Sequence, residues 1–300
     1  MKDSRLLRRL AEWTDYYERF NYFSSNTVRD GCYPRIMQHA EPTGKAIVLV
    51  HGLSDSPYFM TAIGTYFFNT LGCDVYMPLL HCHGLKKPQG MEEVELEEWK
   101  ANVGFAIQTA AARSEEVSLG GLSTGGTLSL YMAMMHPDVT GTLYLFSAAL
   151  DLAGGPMGLI GEVKERLLRT FWANLLDKNE PLIGENPYRY SHVDKDGAQE
   201  LARLIKETDV MTACFSAEKP FPKRIFAAHS ESDETADIAG IENLNKVSAP
   251  GRFNFFRILK KHNVAHASLV LQEPVTTKAG KILEEANPQF QEMMEAAVAF

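Results

Sequence analysis

The sequence predicts an α/β protein with a central, mostly parallel sheet covered by helices on both faces. Short, continuously apolar runs recur at 46–50 (AIVLV), 73–80 (CDVYMPLL), 117–119 (VSL), 140–149, 225–229 and 253–259 (FNFFRIL). Runs of this kind suit strands buried on both faces. Between them lie stretches whose apolar residues follow helical spacing, and strands that alternate with helices pair in parallel through crossovers. A chain of 300 residues, 45% hydrophobic and 23% charged, is long and apolar enough to build the core this requires.

In chain order, residues 4–23 place Leu6, Leu7, Leu10, Trp13, Tyr17 and Phe20 at helical spacing. They predict an amphipathic helix docked on the main domain. Arg5, Arg8 and Arg9 would also permit contact with a membrane or a partner protein, a use that the pattern does not favour. Residues 24–44, with Gly31, Pro34, Pro42 and Gly44, read as a connecting arm with at most one short strand. Ser56-Pro57 opens a helix through Phe68, and the strand at 73–80 runs into the loop His81-Cys82-His83-Gly84. A helix follows over about 92–112, with Val94, Trp99, Val103 and Ile107 on one face, and another over 127–135.

Residues 151–190 interrupt the alternation. Gly154, Gly155, Pro156, Gly158 and Gly161 open the segment, and a helix at 163–176 rich in large apolar groups follows. Its place directly after a strand predicts an inserted cap. Helical spacing resumes at 198–206, and Asn287-Pro288 begins the last helix. The resulting division is an N-terminal helical arm (1–44), a core (45–150 and 198–300) and a cap insertion (151–197).

A net charge of −8 offers no basic excess to neutralise phosphates, which excludes a nucleic-acid partner. The four cysteines (Cys32, Cys73, Cys82, Cys214) show no CxxC spacing, so neither a zinc site nor a disulfide framework is expected. Free thiols suit a reducing compartment. The N-terminus lacks the apolar core of a secretory signal, and the most apolar window, 143–160, is broken by Asp151, Gly154-Gly155 and Pro156. These features predict a cytoplasmic protein, with no cofactor and no metal indicated. Oligomeric state leaves no mark on the sequence.

The chemistry centres on Gly121-Leu122-Ser123-Thr124-Gly125, a G-x-S-x-G pattern between the 117–119 strand and a helix. A serine on such a turn sits in strained backbone geometry with its hydroxyl exposed. A neutral hydroxyl needs a base to take its proton and an acid to hold that base. In the α/β-hydrolase arrangement, which a G-x-S-x-G between a strand and a helix resembles, these partners follow in the order serine, acid, histidine, each at the carboxyl end of a strand. Of nine histidines, only His262 and His266 follow an acidic loop of that kind. His266 lies among small residues (Val264-Ala265-His266-Ala267-Ser268) and is the better base, while His262 beside Lys260 and Lys261 reads as an exposed turn residue. The pair is spaced i, i+4 but lacks the glutamate of H-E-x-x-H. Asp233, in SESDETAD after the 225–229 strand, is the leading acid, with Glu231, Glu234 and Asp237 as competitors. Backbone amides of Thr124 and Leu53 are placed to form an oxyanion hole, with His51 ordering the Leu53 loop. The His81-Cys82-His83 triplet has no fourth ligand nearby and reads as a loop.

Taken together, LVHGLSDSP, the Pro78…His83-Gly84 loop, GLSTGG, SESDETAD and VAHASL resemble the α/β-hydrolases over roughly residues 45–272 and the final helix. The likeness is strongest to bacterial carboxylesterases and monoacylglycerol-lipase-like enzymes. It implies an eight-stranded sheet, a cap after the sixth strand, a Ser123–Asp233–His266 triad and an oxyanion hole at Leu53 and Thr124. Two departures stand out: Cys82 where many relatives have glycine, and about 15 extra residues (273–286) before the last helix. The expected activity is hydrolysis of a small or medium-chain ester through an acyl-enzyme on Ser123. Met157, Leu159, Phe171 and Trp172 of the cap would line an apolar pocket. Monoacylglycerol lipase, acyltransferase or thioesterase chemistry could use the same triad, and a hydrolase-like binding protein without catalysis is the alternative from another class.

Overall fold

The computed structural model describes residues 11–87, 91–150 and 181–300. The central sheet has eight strands: β1 (Ala11–Glu12), β2 (Arg35–Met37), β3 (Gly44–Val50), β4 (Asp74–Met77), β5 (Ser114–Leu122), β6 (Leu143–Phe146), β7 (Ile225–Ser230) and β8 (Phe253–Ile258). Their spatial order is β1-β2-β4-β3-β5-β6-β7-β8. From β4 to β8 every neighbouring pair is parallel, and β2 is antiparallel to both β1 and β4. This is the mostly parallel sheet that the alternation of elements predicts.

Strand β3 explains why the run AIVLV has no polar face. Ala46, Val48 and Val50 point into one core cluster, Ile47 and Leu49 into the other. On the first face lie helices α3 (Leu96–Ala111), α4 (Thr124–Met135), α5 (Lys195–Thr212) and α6 (Ile238–Lys246). On the second lie α2 (Thr61–Leu71) and α7 (Phe290–Ala299). Trp99, buried on α3, is among the largest side chains of the first cluster.

The helix expected over 4–23 is not what the described residues form. Ala11 and Glu12 pair with Ile36 and Arg35 as strand β1, and only α1 (Thr14–Arg19) is helical. Tertiary packing overrides the helical periodicity here. Trp13, Tyr16, Phe20 and Phe23 are buried, Trp13 stacks on Phe105 at 5.5 Å, and the Tyr16 hydroxyl donates to the Leu79 carbonyl at 2.7 Å. Aromatic residues expected to dock a separate helix therefore complete the core beside β4 and α3. Trp13, Tyr16, Phe20 and Phe23 face the core, while Tyr17 and Tyr22 are half-buried; residues 1–10 lie outside the described residues. Helix α5 begins at Lys195, three residues before 198, where Asp194 reaches the Met91 amide at 2.5 Å.

Register sets up the site. Val50 at the end of β3 stands opposite Gly121 of β5, and Leu122 stands opposite Phe146 of β6. Farther along, Ser230 of β7 pairs with Ile258 of β8. All five strand ends lie on the same edge, so the loops that follow them meet there.

Candidate active site

Ser123 closes β5 and caps α4 with φ 54° and ψ −120°, in left-handed backbone space that a non-glycine residue enters only when its surroundings force it. Its amide donates to the Phe146 carbonyl at 3.0 Å, and its carbonyl accepts from Gly126 and Thr127 at 2.9 and 3.1 Å. The glycines two residues away on either side make room for this turn. A Cβ on Gly121 would stand 2.5 Å from both the Val50 oxygen and the Gly125 carbonyl carbon.

The loops after β7 and β8 bring Asp233 and His266 together. His266 Nδ1 lies 2.7 Å from Asp233 Oδ2. An ionised carboxylate only accepts, so Nδ1 carries the proton and Nε2 keeps its lone pair. The other oxygen, Asp233 Oδ1, accepts from the Thr235 and Ala236 amides at 2.8 and 3.0 Å, which fixes the carboxylate's orientation. Burial pushes the Asp233 carboxyl up. The hydrogen bond and charge of His266, the charge of His229 and the Ala236 amide outweigh it and hold the group below the usual carboxylate range.

Of the competing residues, Glu231 and Asp237 are engaged elsewhere, and Glu234 lies at the cavity without a contact to His266. Glu231 binds Arg257 Nε and the Lys260 amide, both at 2.9 Å. Asp237 caps α6 through the Ala239 amide at 2.9 Å, and Glu234 is exposed. His262 ends a single 3-10 turn, Lys260–His262, and does not line the cavity described below.

The loop after β3 is ordered by His51. Its Nδ1 donates to the Gly52 carbonyl at 2.9 Å, and its Nε2 accepts from the Leu80 amide at 3.1 Å. Both nitrogens are thereby used by a neutral ring, and burial lowers the imidazole to about 4. Among the described residues, the Leu53 and Thr124 amides have no acceptor. Thr124 also sits in the first turn of α4, where the helix dipole favours negative charge.

Leu53, Ser123, Thr124 and His266 line one cavity of about 1160 Å³ together with Ala149, Ile183, Val193 and Leu201. Met157, Leu159, Phe171 and Trp172, expected in its wall, lie outside the described residues. Among the described residues no group of three or more His, Cys, Asp or Glu is arranged to hold a metal ion. The His83 Nδ1 of the His81-Cys82-His83 triplet donates instead to the His81 carbonyl at 2.9 Å.

Three cavity residues escaped the reading of the sequence. Asp55 is buried directly behind Leu53, Arg189 Nε lies 3.1 Å from its Oδ1, and Arg189 Nη1 lies 2.7 Å from Glu284 Oε1. Glu284 belongs to a hairpin of β9 (Val275–Thr276) and β10 (Ile282–Glu284), built from the extra residues at 273–286. The length of that stretch was a visible signal, but the reach of one of its carboxylates into the cavity had none.

Three buried imidazoles make the fold acid-sensitive. Burial lowers His51, His83 and His229 below the ordinary value of 6.5. An unfolded chain binds these protons at the ordinary value. Stability from His51 is therefore complete above pH 6.5 and is lost as the pH falls toward about 4. By this linkage His51 alone removes about 2 kcal/mol between pH 7 and 5. Urea unfolding followed by tryptophan fluorescence should show a lower midpoint at the acid end; equal midpoints would return His51 to an ordinary pKa.

No family model matches the chain. A thermostable monoacylglycerol lipase from Bacillus sp. (strain H-257) is 32% identical over 171 residues, which cover 57% of this chain and 65% of that enzyme. The chain thus spans just under two thirds of that relative's length. Among solved structures, one from the metagenome-derived lipolytic enzymes LipS and LipT superposes with a TM-score of 0.66 at 16% identity, covering 91% of this chain and 98% of its own. The monoacylglycerol lipase of Paleococcus ferrophilus gives a TM-score of 0.59 at 16% identity, with 89% and 97% covered. Together with the sheet order, these likenesses give the chain the α/β-hydrolase fold.

Proposed function

We propose that this chain, a member of the α/β-hydrolase superfamily, hydrolyses carboxylic esters through an acyl-enzyme on Ser123. One observation carries the reading: the 2.7 Å contact between His266 Nδ1 and Asp233 Oδ2, in a cavity that Ser123 also lines. Held in this tautomer, His266 takes the Ser123 proton through Nε2 as the hydroxyl attacks the ester carbonyl. The Leu53 and Thr124 amides receive the oxyanion, and the protonated imidazole then returns its proton to the leaving alcohol. A water molecule, activated by the same ring, releases the acid. Asp233 stays ionised throughout and stabilises the imidazolium, in keeping with its lowered carboxyl.

The cavity suits a small or medium-chain acyl group. Ala149, Ile183, Val193 and Leu201 supply apolar wall for it. The likeness to a monoacylglycerol lipase supports glycerol monoesters as one member of this class. Of the expected cap, Ile183, Arg189 and Val193 line the cavity, and residues 151–180 lie outside the described residues. The free cysteines suit a reducing compartment, and we assign the cytoplasm on that ground.

The test is hydrolysis of p-nitrophenyl esters of increasing acyl length without added metal, with mass spectrometry of a fluorophosphonate adduct. The adduct is expected on Ser123, and the rate should peak at short to medium chains. His266→Ala should lose roughly a thousandfold or more in kcat/KM, whereas His262→Ala should stay within about threefold. The reverse order would move the base to His262.

A further inference from the structure

We propose that Arg189 is a charge-balancing residue that keeps the Asp55 carboxylate from opposing the oxyanion on the Ser123 adduct, and that Glu284 of the β9–β10 hairpin holds it in place. The inference rests on Ser123 being the nucleophile and says how that site tolerates a buried anion beside it.

A Cβ on Gly52 would stand 2.5 Å from Asp55 Oδ2 and 3.4 Å from the Ser123 Cβ. Asp55 Oδ2 therefore lies within about 6 Å of the nucleophile's Cβ. Asp55 is 2% exposed and belongs to the loop that offers the Leu53 amide. In so dry a place a negative charge acts strongly on another that develops close by. Left alone, it would raise the energy of the oxyanion that the Leu53 and Thr124 amides are placed to receive.

The groups that face Asp55 come from three other segments. Arg189, before α5, binds it at 3.1 Å; Glu284 on β10 and His266 after β8 act on it by charge. His51 on its own loop is neutral. Burial holds the Asp55 carboxyl above its ordinary value; Arg189 and His266 lower it and Glu284 raises it, without reversing that direction. Arg189 is thus the one fixed cation against Asp55 among the described residues. It is anchored twice more: Nη1 on Glu284 at 2.7 Å, and its carbonyl accepting from Arg29 Nη1 at 3.3 Å. The hairpin supplies the second carboxylate, which sets the direction of the guanidinium.

Removing the arginine changes the pH profile in a way that mere loosening would not. In Arg189→Gln, Asp55 is a buried carboxyl without its cation, and its pKa rises. Below that pKa it is neutral and leaves the oxyanion undisturbed; above it the charge returns and kcat falls. His266 must still lose its proton for activity to appear. The wild-type profile, a rise to a plateau, becomes a rise followed by a fall.

The experiment measures p-nitrophenyl butyrate hydrolysis by the full chain across the neutral to alkaline range, with active sites counted by fluorophosphonate labelling of Ser123. Arg189→Gln should lose roughly 100-fold in kcat at the alkaline end, the size of a unit charge acting over a few ångströms at an effective dielectric constant of about 20. KM should change less than about threefold. Asp55→Asn/Arg189→Gln should regain the plateau, to within roughly tenfold of wild type, because the charge to be balanced is gone. A uniform fall for Arg189→Gln, parallel to wild type at every pH, overturns the proposal. So does a double variant no better than the single one. If Arg189→Gln does not fold, Asp55→Asn alone should keep the wild-type rise to a plateau to within roughly tenfold, because there is then no buried charge to balance, and a large loss at every pH is equally fatal. Failure to label Ser123 in the wild type would instead remove the nucleophile itself, and is seen before any variant is made.

Discussion

Ser123→Ala is expected to lower kcat/KM for p-nitrophenyl acetate by roughly 10⁴-fold or more while leaving the fold intact. The size follows from what one oxygen atom does in the proposed reaction: without it no acyl-enzyme forms, and only amide donors and binding remain to assist attack by water. The fold survives because the bonds at this residue belong to its backbone. Its amide on Phe146, and its carbonyl accepting from Gly126, Thr127 and Ala149, are all kept by alanine. Near-ultraviolet circular dichroism should match wild type, and stability should change by less than about 1 kcal/mol. Combining Ser123→Ala with His266→Ala should cost little more than either change alone, since the two act as a unit. A variant that keeps most of its activity would place the nucleophile elsewhere.

Gly125→Ala should have the largest effect on stability, about 3 kcal/mol or more. An added Cβ would press against the backbone oxygens of both Val50 and His51, the second at 2.5 Å, and neither can swing aside as a side chain could. The strand β3 and the turn into α4 would have to part, which also displaces Ser123 and the loop carrying Leu53. Gly104→Ala is the control. Its Cβ would meet the His136 ring and the Met132 methyl at 3.6 and 3.7 Å, ordinary contacts, in the middle of helix α3. There alanine should be neutral or stabilise by about 0.5–1 kcal/mol. Thermal denaturation of the two variants decides between them. Equal midpoints would mean that the β3–α4 approach is looser than the structure describes.

The sheet was legible because a strand buried on both faces must be apolar at every position, and AIVLV, LYLF and IFAA satisfy that without help from the rest of the chain. Candidate residues on loops at strand ends were legible because chemistry limits the choice: few histidines follow an acidic loop, and the structure puts His266 against Asp233. The N-terminal arm was misread for a physical reason. Its apolar residues do recur at helical spacing, but Ala11 and Glu12 find a strand partner, and Trp13, Tyr16 and Phe20 are drawn into an aromatic cluster with Phe105. Nothing local distinguishes that outcome from a docked helix. Asp55, Arg189 and Glu284 were invisible for a similar reason. They are spread over 230 residues, and an acid or arginine in a polar loop looks the same whether it faces water or a cavity.

The register of β3 against β5 has a consequence for how the protein comes into being. A ribosome adds residues from the N-terminus, so Val50 and Gly121 can pair, and the Ser123 turn can take shape, before Asp233 or His266 has been joined to the chain. The last two sheet strands arrive with the acid loop after one and the histidine loop after the other. Until then Ser123 lacks the acid and base of the proposed reaction. Those partners come together only with β7 against β6 and β8 against β7, so the proposed activity waits on completion of the sheet.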